Sequence, residues 1–385
     1  MEFQTPTDIG NRALQQCGAT RMDPTLGFSE NSRNAGEVSS CYGKLRQSEL
    51  RGNVWTFACK RAVMRAIDTN TMLLVPALWV SGTTYFVGSI VADSNGNPWI
   101  SRISNNVGNQ PGVIWSAWEP YFGPLTVSLY DSTQTYYAGE LVYTAAGDGT
   151  YRVFLSLQNG NADNPATATA WDATVTYQKN DVVTYLSVAY MSQVDLNLNQ
   201  QPNTHPSQWT TTFTAGAGSV KWRQIGGAEF PLGVGLQTLD IIYPLNSGPA
   251  SQAFTRNIFK IPAGYLRFAS QQPGSAVTPS LGGPSGITYR DWAVENGFIT
   301  SADTGPIILR FVADIQDVSQ MDPMFCEGLA ARIGMEICDV ITQKSTDRAT
   351  IAKIYDEWMS RAKLQNAIEQ GSDEPPDDDW ITVRA

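Results

Sequence analysis

Few residues in this 385-residue chain are spaced for catalysis. The single histidine, His205, stands in a proline-flanked loop, and no catalytic triad can be built round it. Gly226, Gly227, Gly233 and Gly235 lack both the lysine and the strand–turn–helix setting of a phosphate loop. A glycosidase needs two carboxylates framed in a groove. Glu140 and Asp181 instead hold the same turn position of a repeated pattern, where a structural hydrogen bond suffices. Asp377, Asp378 and Asp379 offer carboxylates to a cation, but a flexible tail binds metal weakly. Five cysteines (17, 41, 59, 326 and 338) are odd in number and form no CxxC pair. They read as reduced, small apolar residues in helical segments, consistent with assembly in a reducing cytoplasm. The expectation is a protein that is not an enzyme and holds no cofactor or metal.

What remains is aromatic chemistry, and it is periodic. Tyr85-x-x-Gly88-Ser-Ile-Val91, Tyr136-x-x-Gly139-Glu-Leu-Val142 and Tyr177-x-x-Asn180-Asp-Val-Val183 share one pattern. Six residues before each tyrosine stands another aromatic: Trp79, Tyr130 and Trp171. Each unit continues with a further aromatic (Trp99, Tyr151, Tyr190) and a proline (Pro111, Pro165, Pro202). Trp118, Trp171 and Trp209 then close the units, so Trp171 both ends the second and opens the third. Glycine or asparagine supplies the positive-φ corner of a tight turn. Valine and the aromatics fill a core too small to be made otherwise.

The elements that must carry these units follow from composition. The segment 76–225 holds 7 of the 11 tryptophans and 10 of the 15 tyrosines but only 14 charged residues, which suits small sheets. Before it, residues 1–75 read as helical: Asp8 is a candidate N-cap, and Ile9, Ala13, Leu14 and Cys17 share a face. A second helix starts near Ser29, and VWTFACKRAVMRA follows with one apolar and one basic side. Residues 226–320 read as β-rich, with a hairpin turn at Asn296-Gly297 and a strand at 307–313. Residues 321–370 give two helices, the first opened by Asp322-Pro323. Residues 371–385 form an acidic tail with no core of its own. The expected fold class is α+β: a helical bundle from both chain ends, a β-rich middle, and an inserted array of three small β units at about 79–118, 130–171 and 171–209.

The net charge of −10 and the lack of a long basic cluster argue against wrapping nucleic acid. MEFQTPTDIG lacks a signal peptide's basic start and apolar run. The longest apolar run, residues 72–80, is too short to span a bilayer. Lys44, Arg46, Arg51, Lys60, Arg61 and Arg65 form the one basic stretch. It reads either as a face for an acidic partner or channel, or as a solvated surface with local pairing.

The W-x5-Y-x2-(G/N)-D-x-V-x-Y opening of the third unit resembles small chitin-binding modules of bacterial chitinases and cellulases. That resemblance makes Trp99, Tyr151 and Tyr190 candidate glycan or docking aromatics. The pair of adjacent aromatics that grips sugar in that family is missing here.

The flanks carry a second resemblance. Trp55-Thr-Phe57-Ala58, Phe259-Lys-Ile-Pro262-Ala-Gly-Tyr-Leu266-Arg-Phe268, Trp292-Ala-Val-Glu295-Asn-Gly, Leu309-Arg-Phe-Val312, Asp322-Pro323-Met-Phe325 and two long helices follow in order. This run resembles the head-to-tail adaptor of short-tailed bacteriophages, the tail tubular protein A type. The resemblance implies a non-catalytic, dodecameric ring in the neck of a virion, assembled in the host cytoplasm. It implies a portal on one side, a tail nozzle on the other, and tail fibres or tailspikes at the rim. DNA would pass through the lumen without specific binding. The insertion is not usual in that family.

Overall fold

The computed structural model describes residues 3–103, 105–145, 151–165, 169–179, 181–186, 188–211, 221–226, 235–238, 257–269, 292–295, 297–301, 305–342 and 345–369. The fold is mixed α+β. The chain divides into two compact units: residues 1–60, 265–277 and 310–385 form the first, and 61–264 with 278–309 the second.

In the first unit, α1 (Pro6–Gln16) starts from a capping box. Thr5 is the N-cap, its hydroxyl accepts the Asp8 backbone N–H, and the Asp8 carboxylate accepts the Thr5 N–H in return. Asp8 is therefore the third helical residue and not the cap. Ile9, Ala13 and Leu14 are buried, and Gly18 ends the run at φ +69°. Helix α2 (Arg33–Gly52) is capped by Ser32. Helix α3 (Pro323–Thr342) opens where Asp322 Oδ1 accepts the N–H groups of Met324 and Phe325. Helix α4 is Ser345–Glu369. Gly328 and Gly334 let α3 and α4 approach closely, since a Cβ on Gly328 would meet Met359 Sδ at 2.9 Å.

Polar ties join residues 1–60 to residues 310–385 of this unit. Arg12 pairs with Glu327 at 2.8 Å, and buried Arg46 with Asp314 at 2.7 Å. Tyr355 donates to the Glu49 carboxylate at 3.0 Å. Asn366 donates to the Val54 carbonyl and accepts from the Thr56 N–H. The Trp55 ring meets Phe325 edge-on at 5.0 Å.

The segment after Gly52 departs from the helical expectation. Cys59–Met64 is a strand in a sheet ordered Cys59–Met64, Ile307–Ala313, Tyr265–Phe268. Ala62 and Met64 are buried while Val63 between them is half-exposed, so the two-residue period governs here.

The second unit holds a six-stranded sheet ordered Trp222–Gly226, Tyr151–Ser156, Leu141–Ala145, Thr126–Leu129, Met72–Val75, Gly235–Thr238. Two four-stranded sheets accompany it: Ala77–Leu78, Ile90–Ala92, Pro98–Ser101, Trp118–Pro120, and Thr169–Ala170, Val182–Tyr185, Val188–Ser192, Trp209–Thr210. Asn257–Lys260, Phe298–Ser301 and Trp292–Glu295 make a further sheet. Glu295 pairs with Phe298 across a two-residue turn that places Gly297 at φ +79°. Asn296, Asn180 and the acidic tail lie outside the described residues.

The boundary expected at residues 75 and 226 does not divide the structure. Met72–Val75 and Gly235–Thr238 belong to the same sheet as the second repeat. One core joins Leu74 and Ala263 to Ile90, Tyr121, Val127, Leu141, Tyr143, Val153 and Ile225. The block expected at 226–320 is likewise shared between the two units.

Candidate functional site

Each aromatic repeat is built alike. A short strand runs parallel to the first arm of a hairpin, and a tryptophan-led strand closes the far side. The parallel registers are Ala77↔Val91, Ser128↔Val142 and Thr169↔Val183. The hairpin registers are Val91↔Trp99, Val142↔Phe154 and Val183↔Tyr190. Strand alternation sends Val91, Val142 and Val183 into three separate aromatic cores. Their neighbours Ile90 and Leu141 face the shared core instead.

A polar circuit recurs beneath each core. The repeat tyrosine's hydroxyl accepts the backbone N–H five residues upstream: Tyr85 from Val80, Tyr136 from Asp131, and Tyr177 from Asp172, at 2.7–2.8 Å. A buried asparagine then donates to a serine hydroxyl five residues earlier: Asn106 to Ser101, Asn161 to Ser156, Asn197 to Ser192. The same amide reaches the residue before the closing tryptophan. That Ser-x4-Asn spacing stands in the sequence in all three repeats and went unread.

Closure corrects the expected boundaries. Trp118 and Trp209 each donate their indole N–H to a carbonyl nine residues upstream, on Asn109 and Gln200. In the second repeat the equivalent bond runs from Trp222 to Asp163, 59 residues apart. Trp222, with no exposed surface, packs with Tyr130, Tyr136, Val142 and Phe154. Trp171 packs with Tyr177, Val183 and Trp209, so it opens the third repeat and does not close the second. The third repeat lies wholly inside the second.

The turn position shows how the repeats differ. Ser89 Oγ, Glu140 Oε2 and Asp181 Oδ2 each accept the backbone N–H three residues back. Glu140 also forms an ion pair with Arg65 at 2.7 Å, although the Nε–Oε1 approach lacks hydrogen-bond alignment. The Arg65 guanidinium covers the Tyr136 ring at 4.5 Å and donates to the Thr135 carbonyl. Burial raises the Glu140 carboxyl above its ordinary range, and Arg65 opposes that rise. Asp181 is 7% exposed, and burial pushes it up to about 6, partly offset by the Gln178 N–H and the Arg223 charge. Arg223 also underlies the first repeat, where a Cβ on Gly88 would meet its Cδ at 2.8 Å. Lys179 Nζ donates to Asn105 Oδ1 at 2.7 Å, which links the third repeat to the first.

The candidate glycan aromatics do not form a platform. Trp99 is 1% exposed, donates its indole N–H to Asp93 Oδ2 and meets Trp115 edge-on. Tyr190 is half-buried against the third core. Tyr151 is exposed and edge-on to Tyr143, but Phe154 is the residue in register with Trp99 and Tyr190. The basic stretch is also dispersed. Arg46 and Arg65 are committed to Asp314 and Glu140. Lys44 and Arg51 are exposed on α2, Lys60 is half-buried and has an interaction, and Arg61 is exposed. Arg61 and Arg65 belong to the second unit and the other four to the first. His205 Nδ1 lies within hydrogen-bond distance of Thr204 Oγ1 and the Gln201 carbonyl, as part of a turn.

Among the described residues, no group of histidine, cysteine and acidic side chains is placed to hold a metal ion. None of the five cysteines is in a disulfide, and Cys59 lies in a strand. Among the described residues no helix is long and apolar enough to cross a membrane. Comparison with protein-family models and with curated proteins returned no match.

Proposed function

We propose that this chain is a structural subunit of a phage head-to-tail connector, a ring that joins a portal to a tail nozzle and lines part of the DNA channel. The observation that carries the reading is the first unit, in which helices from the two chain ends are tied by Arg12–Glu327, Arg46–Asp314 and Asn366–Val54. It supports a helical bundle from both chain ends bearing the ordered flanking motifs of the tail adaptor. The net charge of −10 suits a conduit that DNA traverses without sticking.

In this reading the repeats dock tail fibres or tailspikes and are not a sugar-binding array. Their tryptophans fill cores, while aliphatic side chains such as Leu78, Val113, Leu186 and Leu196 are 59–74% exposed. Aliphatic surface favours protein partners, because sugars stack on aromatic faces.

Image reconstruction of the assembled particle tests the proposal. The expected result is this chain between portal and nozzle, in a closed ring of twelve. A chain that never joins a portal, together with glycan-array binding lost in Tyr151→Ala, would replace it with the host-surface glycan-binding alternative.

A further inference from the structure

We propose that Arg51 and Arg267 form an anion site whose occupant is the acidic tail of the same chain. The inference does not depend on the connector reading. Both residues belong to the first unit. Arg51 is exposed in the last turn of α2, and Arg267 is half-buried in the strand Tyr265–Phe268, in register with Val312. Arg267 Nη1 donates to the Arg51 carbonyl at 3.1 Å, which brings the two residues together. Burial raises the Tyr265 hydroxyl, and after the Phe268 backbone it is the charges of Arg51 and Arg267 that oppose the rise. Both guanidinium groups therefore lie near one hydroxyl.

Nothing described neutralises them. Arg267 spends Nε and Nη1 on the carbonyls of Phe268 and Arg51, which leaves Nη2. Among the described residues, the Arg51 side chain has no hydrogen bond and neither arginine has an ion pair with a carboxylate. The carboxylates of the neighbouring segments are engaged elsewhere: Glu49 by Tyr355 and Arg332, Asp314 by Arg46 and Gln47, and Glu369 by Thr56. Two like charges held together repel, and a carboxylate seated in their donor forks removes that cost.

The origin and charge of the tail identify the occupant. Residues 370–385 lie outside the described residues, but their starting point is fixed. Glu369 accepts the Thr56 hydroxyl at 2.9 Å, and Asn366 donates to the Val54 carbonyl. Arg51 stands five residues before Thr56, so their Cα atoms are at most about 18 Å apart. Asp373, Glu374, Asp377, Asp378 and Asp379 follow Glu369 by four to ten residues, a reach of roughly 13–35 Å. Arg384 is the one base past Gly371. Exposed ion pairs are individually weak, so attachment decides the contest. A tail tethered this close is present at an effective concentration on the order of millimolar, which a free acidic partner must exceed.

The test is fluorescence anisotropy of a labelled peptide of residues 371–385, titrated with the full chain in low salt. Wild type is compared with a tail variant, Asp373→Asn/Glu374→Gln/Asp377→Asn/Asp378→Asn/Asp379→Asn, and with the same variant carrying Arg51→Gln/Arg267→Gln. Circular dichroism verifies that each folds. If Arg267→Gln unsettles α2, Arg51→Gln alone replaces the pair. The tail variant should bind the peptide roughly tenfold more tightly than wild type. The arginine substitutions should abolish that gain, as should about 0.5 M salt. Equal binding by wild type and the tail variant overturns the proposal, because the site is then not filled by its own tail. Undiminished binding after the arginine substitutions overturns it as well. A tail variant that binds a labelled DNA duplex through these arginines, and not the peptide, also overturns it and assigns the pair to phosphate.

Discussion

The second and third repeats share a tyrosine, a hairpin, a Ser–Asn circuit and a closing tryptophan, yet one is contiguous and the other is not. The third runs from Trp171 to Trp209 without interruption. The second starts at Tyr130 and waits until Trp222 for its last wall. Their turn carboxylates differ in the same sense. Glu140 is held by Arg65, which directly follows the Cys59–Met64 strand, whereas Asp181 has a backbone N–H and a less direct Arg223. The second repeat is thus woven into the six-stranded sheet, while the third is a guest within it. Local pattern decides what a module looks like; long-range pairing decides which pieces belong to it.

The sharpest way to break this contrast is Trp222→Ala. It should cost the second repeat about 3–5 kcal/mol, as for other buried aromatics. Hydrogen exchange should show lost protection in 136–156, with the third repeat retained. Loss there in Trp171→Ala instead would restore the contiguous boundaries.

Next in size is Glu140→Gln, which leaves the Arg65 guanidinium without its anion. An effect of about 2–3 kcal/mol is expected, against about 1 kcal/mol for Ser89→Ala, where only a neutral hydrogen bond goes. Equal effects in the two exchange profiles would erase the distinction between these turns.

Asp181→Asn should act in the opposite direction. The folded carboxyl titrates at about 6, above the ordinary 3.8, so the folded state binds the proton more tightly. The third repeat is then most stable below pH 4 and loses stability as pH rises through 6. The asparagine variant should remove this dependence and stabilise the repeat at pH 7 by roughly 1–3 kcal/mol. Exchange protection that is flat between pH 4 and 7 in the wild type would contradict the assignment.

The smallest effect is expected from replacing residues 164–220 with the first repeat's Gln110–Ser116, since Lys221 already stands in the place of Ala117. This restores the nine-residue spacing of Trp118 and Asn109 to the second repeat. Its stability should change by less than about 1 kcal/mol. Loss of the second repeat's exchange protection would mean that the third repeat is part of its core.

Much of this was legible because it is local. The Tyr-x-x-Gly corners appear at φ +87° for Gly88 and +91° for Gly139. The helix opened by Asp322-Pro323 follows from its cap, and the 307–313 strand from its apolar run. Closure was not legible, since Trp171 stands near the distance at which a contiguous repeat should end and no periodicity marks an interruption. Trp99 looked available to a ligand because sequence shows an aromatic's type and not the Asp93 loop that seals it. The strand at Cys59–Met64 was hidden by a helical prefix and by basic residues alternating with apolar ones, a pattern either structure can use. The basic stretch dissolved for a related reason, because Asp314 and Glu140, which claim Arg46 and Arg65, lie far along the chain.

Nesting also sets an order of events during synthesis. The ribosome delivers Trp209 before Trp222, so the guest has every residue it needs while its host still lacks a wall. Until residue 222 emerges, Tyr136 and Phe154 present bare rings to the cell. A translational pause in that interval would prolong the exposure, and the nascent chain is most open to mispairing there.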